Sequence, residues 1–172
     1  TVAMGGGGFV SGVVPSLLRQ NLIYARTDVG GAYRWNEVTG SWLPLVDWVS
    51  EAEQGILGVE SIALDPREAS RLYLLAGISY SNGGQTAVLR SDDYGQTYEV
   101  YEVTSQFRAN GNGPGRQNGE RLAVDPNDGS ILFVGTRESG LFQSRDRGAT
   151  WARVPSLDVT TTSAGSGIAF VL

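Results

Sequence analysis

The 172-residue chain has no cysteine and no histidine. Without thiols no disulfide can staple the fold, so packing must hold it. Without imidazole or thiolate, no Ser-His-Asp or Cys-His nucleophile can be assembled, and no zinc site of the usual ligand types. Carboxylates, tyrosines and the basic residues are the acid-base groups that remain. Basic residues are also in deficit, 13 against 18 acidic, a net charge of -5. That balance argues against nucleic acid or an anionic membrane as partner and suits a neutral polymer or small solute. No apolar run approaches the length of a membrane span. Thr1 is followed by neither a basic stretch nor an apolar core, so no signal peptide is recognised. A mature secreted form and a cytoplasmic protein both stay open on these grounds.

What is present is glycine, 24 residues of it, and short apolar runs broken by Gly, Asn, Asp and Pro. This is the texture of many short strands joined by turns, in a chain long enough for one domain with a real core. Internal repetition is the most informative feature. Glu60-Ser61-Ile62-Ala63-Leu64-Asp65-Pro66 is answered sixty residues on by Glu120-Arg121-Leu122-Ala123-Val124-Asp125-Pro126. Leu72-Tyr73 matches Leu132-Phe133 at the same offset. Downstream, Ser91 to Tyr98 and Ser144 to Trp151 both read S-x-D-x-G-x-T-aromatic, the Asp-box pattern. A degenerate copy opens the chain, with Val13-Val14-Pro15, Leu22-Ile23-Tyr24 and Thr39-Gly40-Ser41-Trp42 in the corresponding places.

Each copy reads as four short strands. The first set is expected at 9–14, 21–27, 31–35 and 41–46. The second falls at 59–64, 71–77, 86–91 and 97–103, and the third at 119–124, 130–136, 140–144 and 150–154. Units of four strands in about 40–50 residues are propeller blades. The reading is therefore all-β. Blade 1 spans about 1–50, blade 2 about 51–104 and blade 3 about 105–160, with a fourth beginning near 165–172. Propellers close with about 4–8 blades, so other segments or chains are expected to complete the ring. In the Asp-boxes, Gly95 and Gly148 permit positive φ, and Asp93 and Asp146 accept local N–H bonds. Tyr98 and Trp151 are expected to pack between blades. These boxes are read as staples rather than catalytic or calcium sites, because they lack the ligand spacing of a Ca²⁺ loop. No metal site is assigned.

Blade topology separates the loops into two faces. The Asp-boxes and the Asp-Pro turns are short and regular. The opposite set is long and varied: Asp28 to Gly31, Asp47 to Gly58, Ser79 to Gln85, Val103 to Gly119 and Arg137 to Gly140. Long loops on a rigid scaffold are where sites are built, so this is the candidate working face. Asp28 lies on it, before Gly30 and Gly31, which let the chain turn sharply and leave room for a bulky ligand. Two readings of Asp28 stay open, a functional carboxylate and a turn aspartate capping its own loop. Glu60 and Glu120 recur at equivalent repeat positions and read as structural. Among the aromatics, Trp35 and Trp42 are expected to pack, whereas Trp48 and Tyr80 sit in long loops and are candidate platforms for sugar rings. Gly5 to Gly8 are not a phosphate loop, since no G-K pair or helix follows; they read as a tight passage of the innermost strand near the propeller axis.

Gly5-Gly6-Gly7-Gly8-Phe9-Val10 and Tyr24-Ala25-Arg26-Thr27-Asp28-Val29-Gly30-Gly31-Ala32-Tyr33-Arg34 resemble the N-terminus of glycoside hydrolase family 74. Gly58 to Pro66 and Gly119 to Pro126 extend the resemblance over nearly the whole chain. The resemblance implies a secreted enzyme of two seven-bladed propellers, with xyloglucan or its oligosaccharides held in the cleft between them. It implies inversion by two aspartates, one per propeller, with the general-base role falling on Asp28 and the general acid lying in the second propeller. Gly30, Gly31, Tyr33, Trp48, Tyr80 and Arg116 are taken as the candidate substrate-binding set, and no cofactor is expected, since the sugar chemistry requires none. The chain departs from the family pattern at Val14-Pro15-Ser16, at Glu51 to Ile56 and at Gly77 to Asn82. A non-catalytic Asp-box propeller that binds carbohydrate or protein is the alternative. A sialidase ranks below it, because that chemistry needs an arginine triad and a Tyr/Glu pair from blades that are mostly absent from this stretch.

Overall fold

A computed structural model describes residues 7–81, 83–157, 159, 160, 162 and 165–171. Among them, consecutive strands pair into three four-stranded antiparallel sheets. The first holds β1 (Val10–Pro15), β2 (Ile23–Thr27), β3 (Ala32–Asn36) and β4 (Ser41–Pro44). The second holds β5 (Val59–Leu64), β6 (Leu72–Gly77), β7 (Thr86–Ser91) and β8 (Glu99–Glu102). The third holds β9 (Leu122–Val124), β10 (Leu132–Gly135), β11 (Leu141–Ser144) and β12 (Ala152–Arg153). Spatial order follows chain order in every sheet, the simple meander of a propeller blade. Each strand lies inside its expected span or passes it by one residue. Gly5 and Gly6 lie outside the described residues, as do Asn82 and Leu172.

The core sits between the blades and has two layers. β6 shows why its six residues are all buried. Leu72, Leu74 and Ala76 point toward the first blade, joining Leu22, Tyr24, Val46 and Ile62. Tyr73 and Leu75 point the other way, joining Phe107, Leu122, Phe142 and Trp151. Successive strand residues alternate faces, so a sheet sandwiched on both sides reads as a continuous apolar run. Tyr98 packs against the layer between blades one and two, and Trp151 within the layer between two and three.

The two S-x-D-x-G-x-T turns are built alike. Asp93 Oδ1 accepts N–H bonds from Gln96 and Thr97, each at 2.9 Å, and Oδ2 accepts the Thr97 hydroxyl at 2.6 Å. Gly95 N donates to Ser91 Oγ at 2.7 Å, as Gly148 N does to Ser144 Oγ at 2.8 Å. The opening copy is held differently: Asn36 Oδ1 accepts the amides of Val38 and Thr39. A 3₁₀ helix at Glu51–Leu57 was not anticipated within the first inter-blade link. It buries Ile56 in the first core layer, while Ser50 and Glu53 pair at its start.

Candidate active site

Asp28 follows β2 in a turn whose geometry is dictated by Thr27 and two glycines. Thr27 Oγ1 donates to Gly31 O and accepts from Gly30 N, both at 2.9 Å. Gly31 takes φ +85°, a left-handed conformation that favours glycine. The same turn recurs after β10, where Thr136 Oγ1 donates to Gly140 O at 2.6 Å and accepts from Ser139 N at 2.9 Å. The residue after the threonine differs: Asp28 in the first blade, Arg137 in the third.

The N-terminal run lies directly on this turn. A Cβ on Gly30 would stand 1.9 Å from Gly7 O, and one on Gly8 would stand 2.8 Å from Asp28 Oδ1. Phe9 N donates to Asp28 Oδ1 at 2.7 Å, and Asp28 N donates to Phe9 O at 3.1 Å. The close passage expected of the glycines is thus, for Gly7 and Gly8, a passage against Asp28.

Asp28 is 7% exposed. A carboxylate so buried needs a partner. Arg116 supplies it from the link between the second and third blades, with Nε 3.3 Å from Asp28 Oδ2. That contact is an ion pair without hydrogen-bond alignment, since Arg116 Nε is buried and makes no hydrogen bond. The Arg116 guanidinium lies over the Phe9 ring, 5.3 Å from its centroid.

Beneath this pair runs a belt of buried charges. Arg26, fully buried on β2, donates to Glu120 at 2.8 Å, to Arg116 O at 2.9 Å and to Gly119 O at 3.2 Å. Glu120 in turn accepts from Ser61 Oγ at 2.8 Å and Ile62 N at 2.6 Å. Glu60 pairs with Arg121 at 2.9 Å and Arg137 at 2.6 Å, and accepts from Asn110 N at 2.7 Å. The two repeating glutamates therefore tie blades together, the structural part read from their spacing.

The other candidates are placed variously. Tyr33 is 3% exposed, and its hydroxyl donates to Gly30 O at 2.8 Å. Burial, with the nearby Asp47 charge, raises its phenol above the ordinary range, so it stays a donor supporting the turn from within. Tyr80 is exposed on the loop face, where its hydroxyl accepts from Asn112 at 2.7 Å. Trp48 is exposed too, but its ring lies 6.0 Å from Tyr98 and it lines a hollow with Gln96, Thr97 and Val100. Its contacts are therefore with the S-x-D-x-G-x-T turn of the second blade, not with the Asp28 turn. A cavity of about 560 Å³ opens between the second and third blades, lined by Asn110, Pro114, Arg137 and Ser139 among others. Phe9 and Arg26 were not singled out as site residues. A charged residue in the otherwise apolar run Leu22-Ile23-Tyr24-Ala25-Arg26 was the available signal for Arg26. No signal marked the Phe9 amide, because a backbone donor carries no residue type. Among the described residues, no group of three or more His, Cys, Asp or Glu could hold a metal ion, and no helix is long and apolar enough to cross a membrane.

By fold and site, the chain is a run of β-propeller blades presenting one arginine-paired carboxylate on its long-loop face. No protein-family model matches it. It is 57% identical to the GH74 enzyme of Niastella koreensis, with a TM-score of 0.93 over 99% of this chain and 25% of that one. It is 49% identical over 156 residues to a xyloglucanase of Acetivibrio thermocellus, covering 88% of this chain and 18% of that protein. It is 43% identical to an oligoxyloglucan-reducing end-specific xyloglucanase of Emericella nidulans, over 99% of this chain and 21% of that protein. The chain belongs to glycoside hydrolase family 74, and spans about a fifth of the length of the relatives it matches.

Proposed function

We propose that this chain supplies the general-base half of an inverting glycoside hydrolase that cuts the β-1,4-glucan backbone of xyloglucan. The observation that carries the reading is the Asp28 turn. It places one carboxylate, 7% exposed, on the long-loop face, with Gly8 and Gly30 packed closely about its turn and Arg116 as its countercharge. The names of the relatives, a xyloglucanase and an oligoxyloglucan-reducing end-specific xyloglucanase, supply the substrate. In an inverting reaction one carboxylate takes a proton from water as the water attacks the anomeric carbon. A carboxylic acid about 6.5–9.5 Å away protonates the departing oxygen. Asp28 takes the first role. The acid comes from a second propeller facing this one. The Gly30-Gly31 turn stays slim beside the sugar, Tyr80 offers the exposed ring, and Tyr33 holds the turn. The site needs no cofactor for this chemistry, and the extracellular setting of the polymer makes secretion the matching location.

The test uses the full-length polypeptide that carries this segment. Incubated with xyloglucan, it releases new reducing ends, and the first product seen by proton NMR has the inverted anomeric configuration. Asp28→Ala abolishes release while the melting transition stays cooperative. Retained release in that variant removes Asp28 from the role. A second reading is a carbohydrate-binding propeller without catalysis, favoured by the depth and ion pairing of Asp28, which a purely structural aspartate shares. Binding of xyloglucan with no release by the unaltered protein would establish it.

A further inference from the structure

Arg116 shares no contact pattern with a residue that reaches outward for a ligand. Its guanidinium is held at two places, over the Phe9 ring and by its buried Nε against Asp28 Oδ2. Its backbone is fixed as well. Arg26 clamps the main chain at two points, Arg116 O at 2.9 Å and Gly119 O at 3.2 Å. Arg26 stands two residues before Asp28, on the strand that delivers it. One short stretch therefore both presents the carboxylate and staples the loop that brings its countercharge. Phe9 acts twice in the same way, giving its amide to Oδ1 and its ring to Arg116. The loop that brings the countercharge is thus itself held by the strand that carries Asp28, the kind of support a reacting carboxylate requires.

From this we infer that Arg116 is the positioning residue of the reaction, holding the Asp28 carboxylate in its working orientation, and is not a sugar ligand. The inference rests on Asp28 being the base. The Phe9 amide holds Oδ1 and Arg116 holds Oδ2, so the plane of the carboxylate is set from two sides. Each carboxylate oxygen keeps a further acceptor site for the attacking water. Loss of Arg116 lets the carboxylate rotate about its Cβ–Cγ bond. A misplaced base lowers the rate of the chemical step and leaves sugar binding largely intact.

The experiment is a kinetic comparison in the full-length polypeptide, with xyloglucan oligosaccharide as substrate. Arg116→Ala is expected to lower kcat by about 10- to 100-fold with KM changed less than about threefold. Added guanidinium ion should restore part of kcat by refilling the place over Phe9, and Arg116→Lys should retain more than Arg116→Ala. An unchanged kcat, or a KM that rises while kcat holds, overturns the inference and returns Arg116 to the sugar-binding set. Failure of the base reading looks different: Asp28→Ala alone would retain turnover.

Discussion

Gly30 shows how narrowly the Asp28 turn is specified at the scale of one residue. Its Cα faces Gly7 O so closely that a methyl group would sit 1.9 Å from that oxygen. Gly30→Ala must push the N-terminal run off the turn, and Phe9 N leaves Asp28 Oδ1 with it. Turnover in the full-length polypeptide is expected to fall at least about tenfold with little change in melting temperature, since in the proposed role misplacing the base costs more than reshaping the loop. Parallel kcat and thermal-melt measurements check this. Glu60 gives the opposite profile. It is 1% exposed between Arg121 and Arg137. Glu60→Gln leaves two buried cations short of a countercharge and should cost about 3–5 kcal/mol in urea unfolding. A loss below about 1 kcal/mol would mean that solvent reaches this belt.

At the scale of elements, the S-x-D-x-G-x-T turns are pH-sensitive clasps. Burial pushes the Asp93 carboxyl up. The hydrogen bonds from Thr97, Ser91 and Gln96 outweigh it and bring the pKa down to about 2, against an ordinary 3.8. Asp146 is shifted the same way, with burial opposed by bonds from Thr150 and Ser144. A carboxylate with a depressed folded pKa stabilises the fold above its unfolded pKa. That contribution fades as pH falls toward the folded value. The stability from Asp93 is therefore complete at neutral pH and disappears between about pH 4 and pH 2. Asp93→Asn should melt lower than the unaltered protein at pH 7, and the two curves should converge as pH approaches 2. Parallel curves over that range would count against the clasp. Trp151 is the packing counterpart, with its ring edge-on to Phe107 at 5.8 Å and its Nε1 donating to Gly148 O at 3.0 Å. Trp151→Ala empties the layer between the second and third blades and should cost about 3–5 kcal/mol in the same unfolding assay.

Across the whole molecule, two apolar layers and one belt of charges do the joining. Each blade contributes both faces of its sheet, so the second blade is covered on either side and the first and third on one side each. The first strand of the first blade shows Val10 and Val13, both more than 40% exposed. These 172 residues in isolation are expected to self-associate, since such apolar faces seek a partner. Light scattering across a concentration series checks it; a monomer at every concentration would contradict it. Arg26 spans the largest sequence distance in the belt, reaching Glu120 in the third blade while Glu120 holds Ser61 and Ile62 in the second. It is the point at which three blades are registered on one another.

Much of this was legible in the sequence. The sixty-residue offset, the paired S-x-D-x-G-x-T runs and the apolar runs between turns specify strands, blades and their order, because period, turn chemistry and repetition are local properties. The recurrence of Glu60 and Glu120 was enough to read them as structural. The run around Asp28 was enough to mark a turn and suggest a role. What only the tertiary structure decided is who stands beside whom. Arg116 lies 88 positions from Asp28, Gly7 meets Gly30 through a backbone oxygen, and Phe9 acts through its amide. None of these leaves a mark in residue spacing. Tyr33 turned inward and Trp48 toward the second blade for the same reason: a strand's pleat and a link's path are settled by the neighbouring sheet. Turn chemistry acts over a few residues and can be read along the chain; the pairing of buried charges depends on how blades wrap about their axis, and only folding brings those charges together.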